Sequence, residues 1–166
     1  MSFPRILRHL FIGRMALRRV FPQTALTAIE EAIQQSEIGH DGEIRFAVEA
    51  ALNMRSLLSG QSARERAIEV FSQLRIWDTE HNNGVLIYLL LADRDVEIVA
   101  DRGISVKVGA GKWESICHEM ELAFREGEFE SGVIGGIHAI GRHLQEHFPA
   151  ERMRRENELS DSPIIL

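Results

Sequence analysis

Asn83-Gly84-Val85-Leu86-Ile87-Tyr88-Leu89-Leu90-Leu91, then Ala92-Asp93-Arg94-Asp95, then Val96-Glu97-Ile98-Val99-Ala100-Asp101-Arg102-Gly103, is the stretch that decides the fold. Val85 to Leu91 is an unbroken apolar or aromatic run, the pattern of a strand buried on both faces. Asp93-Arg94-Asp95 is polar turn material. The second run alternates, with Val96, Ile98 and Ala100 on one side and Glu97, Val99 and Asp101 on the other. That suits an antiparallel neighbour with a partly wet face. A central strand over 85–91 and a hairpin partner over 95–100 follow.

Upstream, Glu43 to Val48 also alternates, with Ile44, Phe46 and Val48 against Glu43, Arg45 and Ala47. This predicts a first strand over 43–48. Residues 51–59 fit a loop or a short helical turn. Ser62 and Glu65 form an S-x-x-E capping box that opens a helix over 62–75, with Ala67, Val70, Phe71 and Leu74 facing inward. Strand, helix and strand in this order make a right-handed parallel crossover.

Helices extend the pattern on both sides. One is expected over 24–36, with Leu26, Ile29 and Ile33 as its stripe. Thr24 is its candidate N-cap, and Thr27 with Glu30 is the alternative. Residues 104–112 read as a glycine-bearing connection. Trp113, Ile116, Cys117, Met120 and Phe124 define a helix over 113–126. Val133, Ile137, Gly141 and Leu144 define another over 132–147. Gly132, Gly135 and Gly136 either weaken its start or let it approach a neighbour closely. The expected fold is a three-layer α/β/α sandwich around a small mixed sheet. A domain over 23–148 is expected, with a basic arm at 1–22 and a charged, flexible tail at 149–166.

The chain has 166 residues and 45% hydrophobic content, enough for one substantial core. Its 25 acidic residues exceed its 19 basic ones, which argues against nucleic acid as a partner. The arm departs from this balance: Arg5, Arg8, Arg14, Arg18 and Arg19 precede the first carboxylate, Glu30. Residues 3–20 can form one helix with Phe3, Ile6, Leu10, Leu17 and Val20 on a face. Such an arm suits an anionic membrane surface or a protein partner. It equally suits a helix packed on the domain with its arginines facing the acidic body. One cysteine, Cys117, permits no internal disulfide. No run reaches the ~18 apolar residues of a membrane span. No secretory signal is read at the start, so a cytoplasmic location is expected, with peripheral membrane attachment as the alternative.

Several patterns touch on chemistry. His143-Leu144-Gln145-Glu146-His147 matches H-x-x-E-H, but zinc chemistry there needs a further ligand on a second helix. Gly109-Ala110-Gly111-Lys112 ahead of a helix favours anions, yet Trp113 stands where a phosphate-binding loop needs Ser or Thr. Cys117 lies on an apolar stripe and reads as a core thiol. At one end of the expected sheet, Asp78, Asn82 and Asp101 are candidate ligands for Ca2+ or Mg2+, with Glu43 and Glu80 as alternates. Antiparallel pairing brings the start of the central strand to the end of its partner, and hard cations prefer such oxygens. The same residues suit a polar sheet end with salt bridges. Glu49, Asp93 and Asp95 form a rival cluster at the other end.

An ordered set of short segments resembles a known family. Phe71-x-x-Leu74 precedes Trp77. Asn82-Asn83-Gly84-Val85-Leu86-Ile87, Asp93-Arg94, Val96-x-Ile98, Gly103 and Trp113-x-x-Ile116 follow. Phe124-Arg125-Glu126-Gly127-Glu128-Phe129-x-x-Gly132 is similar to the F-R-x-G-x-[YF]-x-x-G segment of the TPM domain family. The resemblance spans residues 24–148. It implies an α/β sandwich, divalent-metal binding and phosphatase activity, and it assigns no catalytic residue here. A non-catalytic interaction module with weak metal binding is the first functional expectation. A phosphatase-like hydrolase of phosphomonoesters is the second.

Overall fold

The computed structural model describes residues 3–150 and 157–166. Its centre is the expected hairpin. β2 (Gly84–Leu90) is buried at every position, and β3 (Asp95–Ala100) runs antiparallel to it with Ile87 opposite Ile98. The turn between them uses Arg94 in the left-handed region at φ 52°. β1 (Glu43–Glu49) pairs parallel to β2 with Glu43 opposite Gly84. The crossover between them carries α4 (Met54–Leu58), capped by Asn53, and α5 (Ala63–Gln73), which has the capping box of Ser62 and Glu65.

Among the described residues the sheet has four strands, not three, in the order β3-β2-β1-β4. β4 (Ile164–Ile165) comes from the region expected to be a loose tail. It runs parallel to β1, with Ala47 opposite Ile164. Leu159, Ile164 and Leu166 pack on the sheet at spacings that follow no helical stripe, which is why periodicity hides them.

Two cores lie on the two faces. Ile44, Phe46, Val85, Ile87 and Leu89 face α2 (Arg14–Val20), α3 (Gln23–Glu37), α7 (Ala110–Arg125) and α8 (Phe129–His147). Ala47, Leu86, Tyr88 and Leu90 face α5 and the 157–166 segment. Alternation along the strands assigns each side chain to its face.

Three local expectations differ from the structure. The arm is two helices, α1 (Phe3–Phe11) and α2, broken at Gly13, whose extended backbone stands at the α2 N-cap. The second break from expectation is at α3. It begins after Pro22, whose fixed φ suits a helix start, so Thr24 and Thr27 lie inside the helix. Residues 104–112 are mostly helical: α6 (Arg102–Val108) starts on the Asp101 side chain and ends at Gly109, at φ 82°. Gly132 and Gly136 of α8 do permit close approach, because added Cβ atoms would strike the Phe124 ring and the Met120 sulfur, whereas one on Gly135 would meet nothing within 4 Å.

Candidate functional site

The end of the sheet where β2 begins is built on one row across three strands. Glu43 is opposite Gly84, and the Asp101 N–H donates to the Gly84 carbonyl over 2.9 Å. Gly84 has no room for a Cβ, which would meet the Ile76 carbonyl oxygen. Two carboxylates therefore flank a bare backbone.

Glu43 is buried and accepts the N–H groups of Glu158 and Leu159, each over 3.2 Å. Burial pushes its carboxyl above the usual range, against the lowering effect of those two bonds. Asp101 accepts the Arg102 N–H over 2.7 Å as the cap of α6. Its other oxygen, Oδ2, is buried without a hydrogen bond. Asn82 sits at φ 52°, and its carbonyl accepts the Gly103 N–H over 2.8 Å. Glu80 donates its N–H to Glu158 over 3.0 Å. Asp78 lies apart, exposed, with Arg75 at 2.7 Å. Among the described residues, no group of three or more His, Cys, Asp or Glu is placed to hold a metal ion.

Asn83 belongs to this end and was not among the expected ligands. It is fully buried, donates its N–H to Thr79 Oγ1 over 3.1 Å and its amide to the Asp41 carbonyl over 3.0 Å. Its Oδ1 has no partner. Its sequence signals are its place as the amide before the longest apolar run and its membership of the Asn82–Ile87 segment.

At the opposite end, Asp93 and Glu49 are paired with arginines. Asp93 holds Arg5 at 2.8 Å, Arg8 at 3.2 Å and His9 Nε2 at 3.2 Å. His9 Nδ1 accepts the Leu52 N–H over 3.0 Å, while its buried Nε2, 3.2 Å from Asp93, makes no hydrogen bond. Glu49 accepts from Tyr88 and Arg66. Burial first, then the nearby carboxylates of Glu97, Glu121 and Asp93, push Asp95 up to about 6.

These contacts fix one side of the α1–α2 segment. Its other side leaves Leu10, Phe11 and Met15 exposed, the last two at 82% each. Arg14, Arg18 and Arg19 are exposed beside them, while Leu17 and Phe21 anchor the segment in the core.

A cleft of about 540 Å³ runs between β3 and α7, lined by Asp95, Glu97, Trp113, Cys117 and Glu121 among others. Arg64 closes part of the β3 edge by donating to the Ile98 carbonyl. Burial pushes the Cys117 thiol up to about 12, so it stays protonated near neutral pH and is a poor nucleophile. His143 and His147 lie near the end of α8, and the His143 ring meets Trp113 edge-on at 6.0 Å.

No helix among the described residues is long and apolar enough to cross a membrane. Among curated proteins, none matches the chain. Among solved structures, it is similar to the BA42 protein of the psychrophilic bacterium Bizionia argentinensis. That match has 30% identity and a TM-score of 0.75, over 86% of this chain and 92% of that one. The N-terminal domain of a P. gingivalis protein shares the fold at 19% identity and a TM-score of 0.57, over 74% of this chain and 76% of that one. The TPM domain model matches residues 17–143, most of the chain, and this chain belongs to the TPM domain family.

Proposed function

We propose that the protein is a non-catalytic interaction module that docks on an anionic membrane surface through α1 and α2. The observation that carries this reading is the exposure of Leu10, Phe11 and Met15 beside Arg14, Arg18 and Arg19. An apolar tip ringed by cations suits the boundary between headgroups and acyl chains. Each arginine near such a surface contributes up to ~1 kcal/mol, screened by salt. The anchored side of the segment holds the tip in place. Flotation with phosphatidylserine vesicles tests the reading. The native protein should float at low salt and be released at high salt, and the F11D/M15D variant should stay at the bottom. Equal behaviour of the two proteins would end the reading. A protein partner would then be the better account of the patch.

A second reading concerns a weak Ca2+ or Mg2+ site at the end of the sheet where β2 begins. Asp101 Oδ2 and Asn83 Oδ1, buried and unpartnered at that end, support it. Asn82 precedes Asn83 in the chain, Glu43 is opposite Gly84 with its oxygens held by the 158–159 backbone, and Glu80 and Asp78 lie in the loop before them. So few charged ligands fit binding at roughly 10⁻⁴ to 10⁻³ M. Calcium titration should move the amides of 78–84 and 101–103 before any others, and D101N should abolish the response. Movement first at 93–95 would place the cation at the other end. Release of phosphate from an aryl phosphate by the pure protein would replace the non-catalytic reading with a phosphatase.

A further inference from the structure

Residues 157–166 lie outside the part of the chain that matches the TPM domain, yet they close the outer edge of the sheet. Their attachment is shallow. β4 contributes two paired residues, and the Leu166 N–H adds a bond to the Val48 carbonyl over 3.0 Å. None of the ten residues is buried, and Ile165 is 45% exposed. The surface beneath is different: Ala47 and Val48 are at 0% exposure. The apolar anchors are Leu159, Ile164 and Leu166.

Charge acts on the segment in both senses. Glu158 lies near Glu43, while Asp161 lies near Arg45 and near Glu37, whose carboxyl is held neutral by burial. Arg45 faces the same group, but its Nη1 has no hydrogen-bond partner. Some of the bonds that hold the segment use its side chains: Ser162 Oγ donates to Glu30 over 2.7 Å, and Glu158 accepts the Glu80 N–H over 3.0 Å. The others come from its backbone N–H groups, such as those of Glu158 and Leu159 to Glu43, and these are available to any extended chain of the right shape. An edge strand whose cover lifts presents a row of unpaired backbone groups, ready for another strand.

We propose that the β1 edge is a binding groove for an extended segment, that residues 157–166 are its exchangeable occupant, and that the same segment of a second copy of this chain can take their place. Specificity comes from the apolar contacts that Leu159, Ile164 and Leu166 make with the cluster beneath them. Exchange of identical elements between copies needs no new contact, because each groove receives the sequence it already holds. The groove lies at the β1 edge, where the segment touches the α5 cluster through Leu159, Ile164 and Leu166 and α3 through Ser162 and Glu30.

The test uses a fluorescein-labelled peptide of residues 157–166 and the full chain with EDTA present. In I164D the internal segment is loosened and the groove freed. The peptide should bind I164D at least tenfold more tightly than native protein, measured by fluorescence anisotropy. A peptide carrying the same Ile164→Asp change should not bind. In an isotope-labelled sample, the bound peptide should shift the amides of Ala47, Val48 and Glu49. If I164D does not give the native circular dichroism spectrum, L166D serves in its place. Absence of binding to a folded variant would overturn the proposal. So would equal binding to variant and native protein, or shifts confined to other strands.

Discussion

The Tyr88 hydroxyl donates to Glu49 Oε2 over 2.7 Å, beneath α5 and out of reach of water. Arg66 Nε reaches the same oxygen over 2.8 Å. A tyrosine in the middle of the central strand is thereby satisfied by a carboxylate from the neighbouring strand. Burial and the Glu49 charge together push the phenol far above its ordinary range, so it remains a donor at every working pH. Y88F should cost about 1.5–3 kcal/mol, the range for a hydrogen bond to a charged group. Urea unfolding should show the loss with the slope unchanged. A cost under ~0.5 kcal/mol would mean that Arg66 alone satisfies Glu49.

Asp93 gathers Arg5, Arg8 and His9 onto the β2–β3 turn. Asp93 and Arg5 have side chains only 11% and 19% exposed, so the pair is poorly screened. D93N should loosen α1 without disturbing the sheet and cost about 2 kcal/mol. Amide hydrogen exchange should accelerate in residues 5–11 and stay unchanged in 85–90. Acceleration in both would mean that α1 supports the sheet as well as resting on it.

Stability should fall on the alkaline side through Glu37. Burial is the first cause that pushes its carboxyl from 4.5 to about 9, and repulsion from Glu43 and Asp161 adds to it. A carboxyl held neutral in the fold favours folding fully below pH 4.5 and loses that contribution as pH rises through about 9. His40 works in the opposite sense. Buried, it has its pKa lowered to about 4, so its contribution is complete above 6.5 and is lost as pH falls towards 4. E37Q, neutral at every pH, should flatten the decline of the urea midpoint between pH 6 and 9. An unchanged slope in E37Q would assign the decline to other groups.

Gly84→Ala should be among the most damaging single changes. The added methyl meets the Ile76 carbonyl, which is backbone and cannot swing aside. The expected cost is about 3 kcal/mol, the upper end for overpacking. Gly111→Ala is the control, because its Cβ would meet nothing within 4 Å. Equal thermal midpoints for the two variants would show that the 76–84 loop yields.

The parts that sequence made legible are those in which each residue carries its own signal. The run Val85–Leu91 and the alternation Val96–Asp101 specify β2 and β3 locally, and Ser62 with Glu65 specifies the start of α5. β4 escaped because two residues make no pattern and their partner, β1, lies far away along the chain. α6 escaped because Gly103 in its first turn reads as a loop, whereas the fold needs that glycine where the carbonyls of His81 and Asn82 crowd it. The expected ligands Asp78, Asn82, Asp101, Glu43 and Glu80 were read together from strand ends, which gives no side-chain direction. In the structure Asp78 turns to Arg75, and Glu43 to the backbone of 158–159. Asn83 was visible as part of the Asn82–Ile87 segment, but nothing in that segment marks its side chain as buried with an unpartnered oxygen.

The placement of β4 sets a timetable for the newborn chain. β1 leaves the ribosome with both flanks bare. β2 follows some forty residues later, but the partner on the other flank is Ile164, opposite Ala47. At about 5–20 residues per second, the interval between those two residues is roughly 6–23 s. For that time the nascent protein carries an open strand flank, while neighbouring copies on the same message carry it too. Ribosome spacing and translation speed thus become determinants of whether each chain closes on itself.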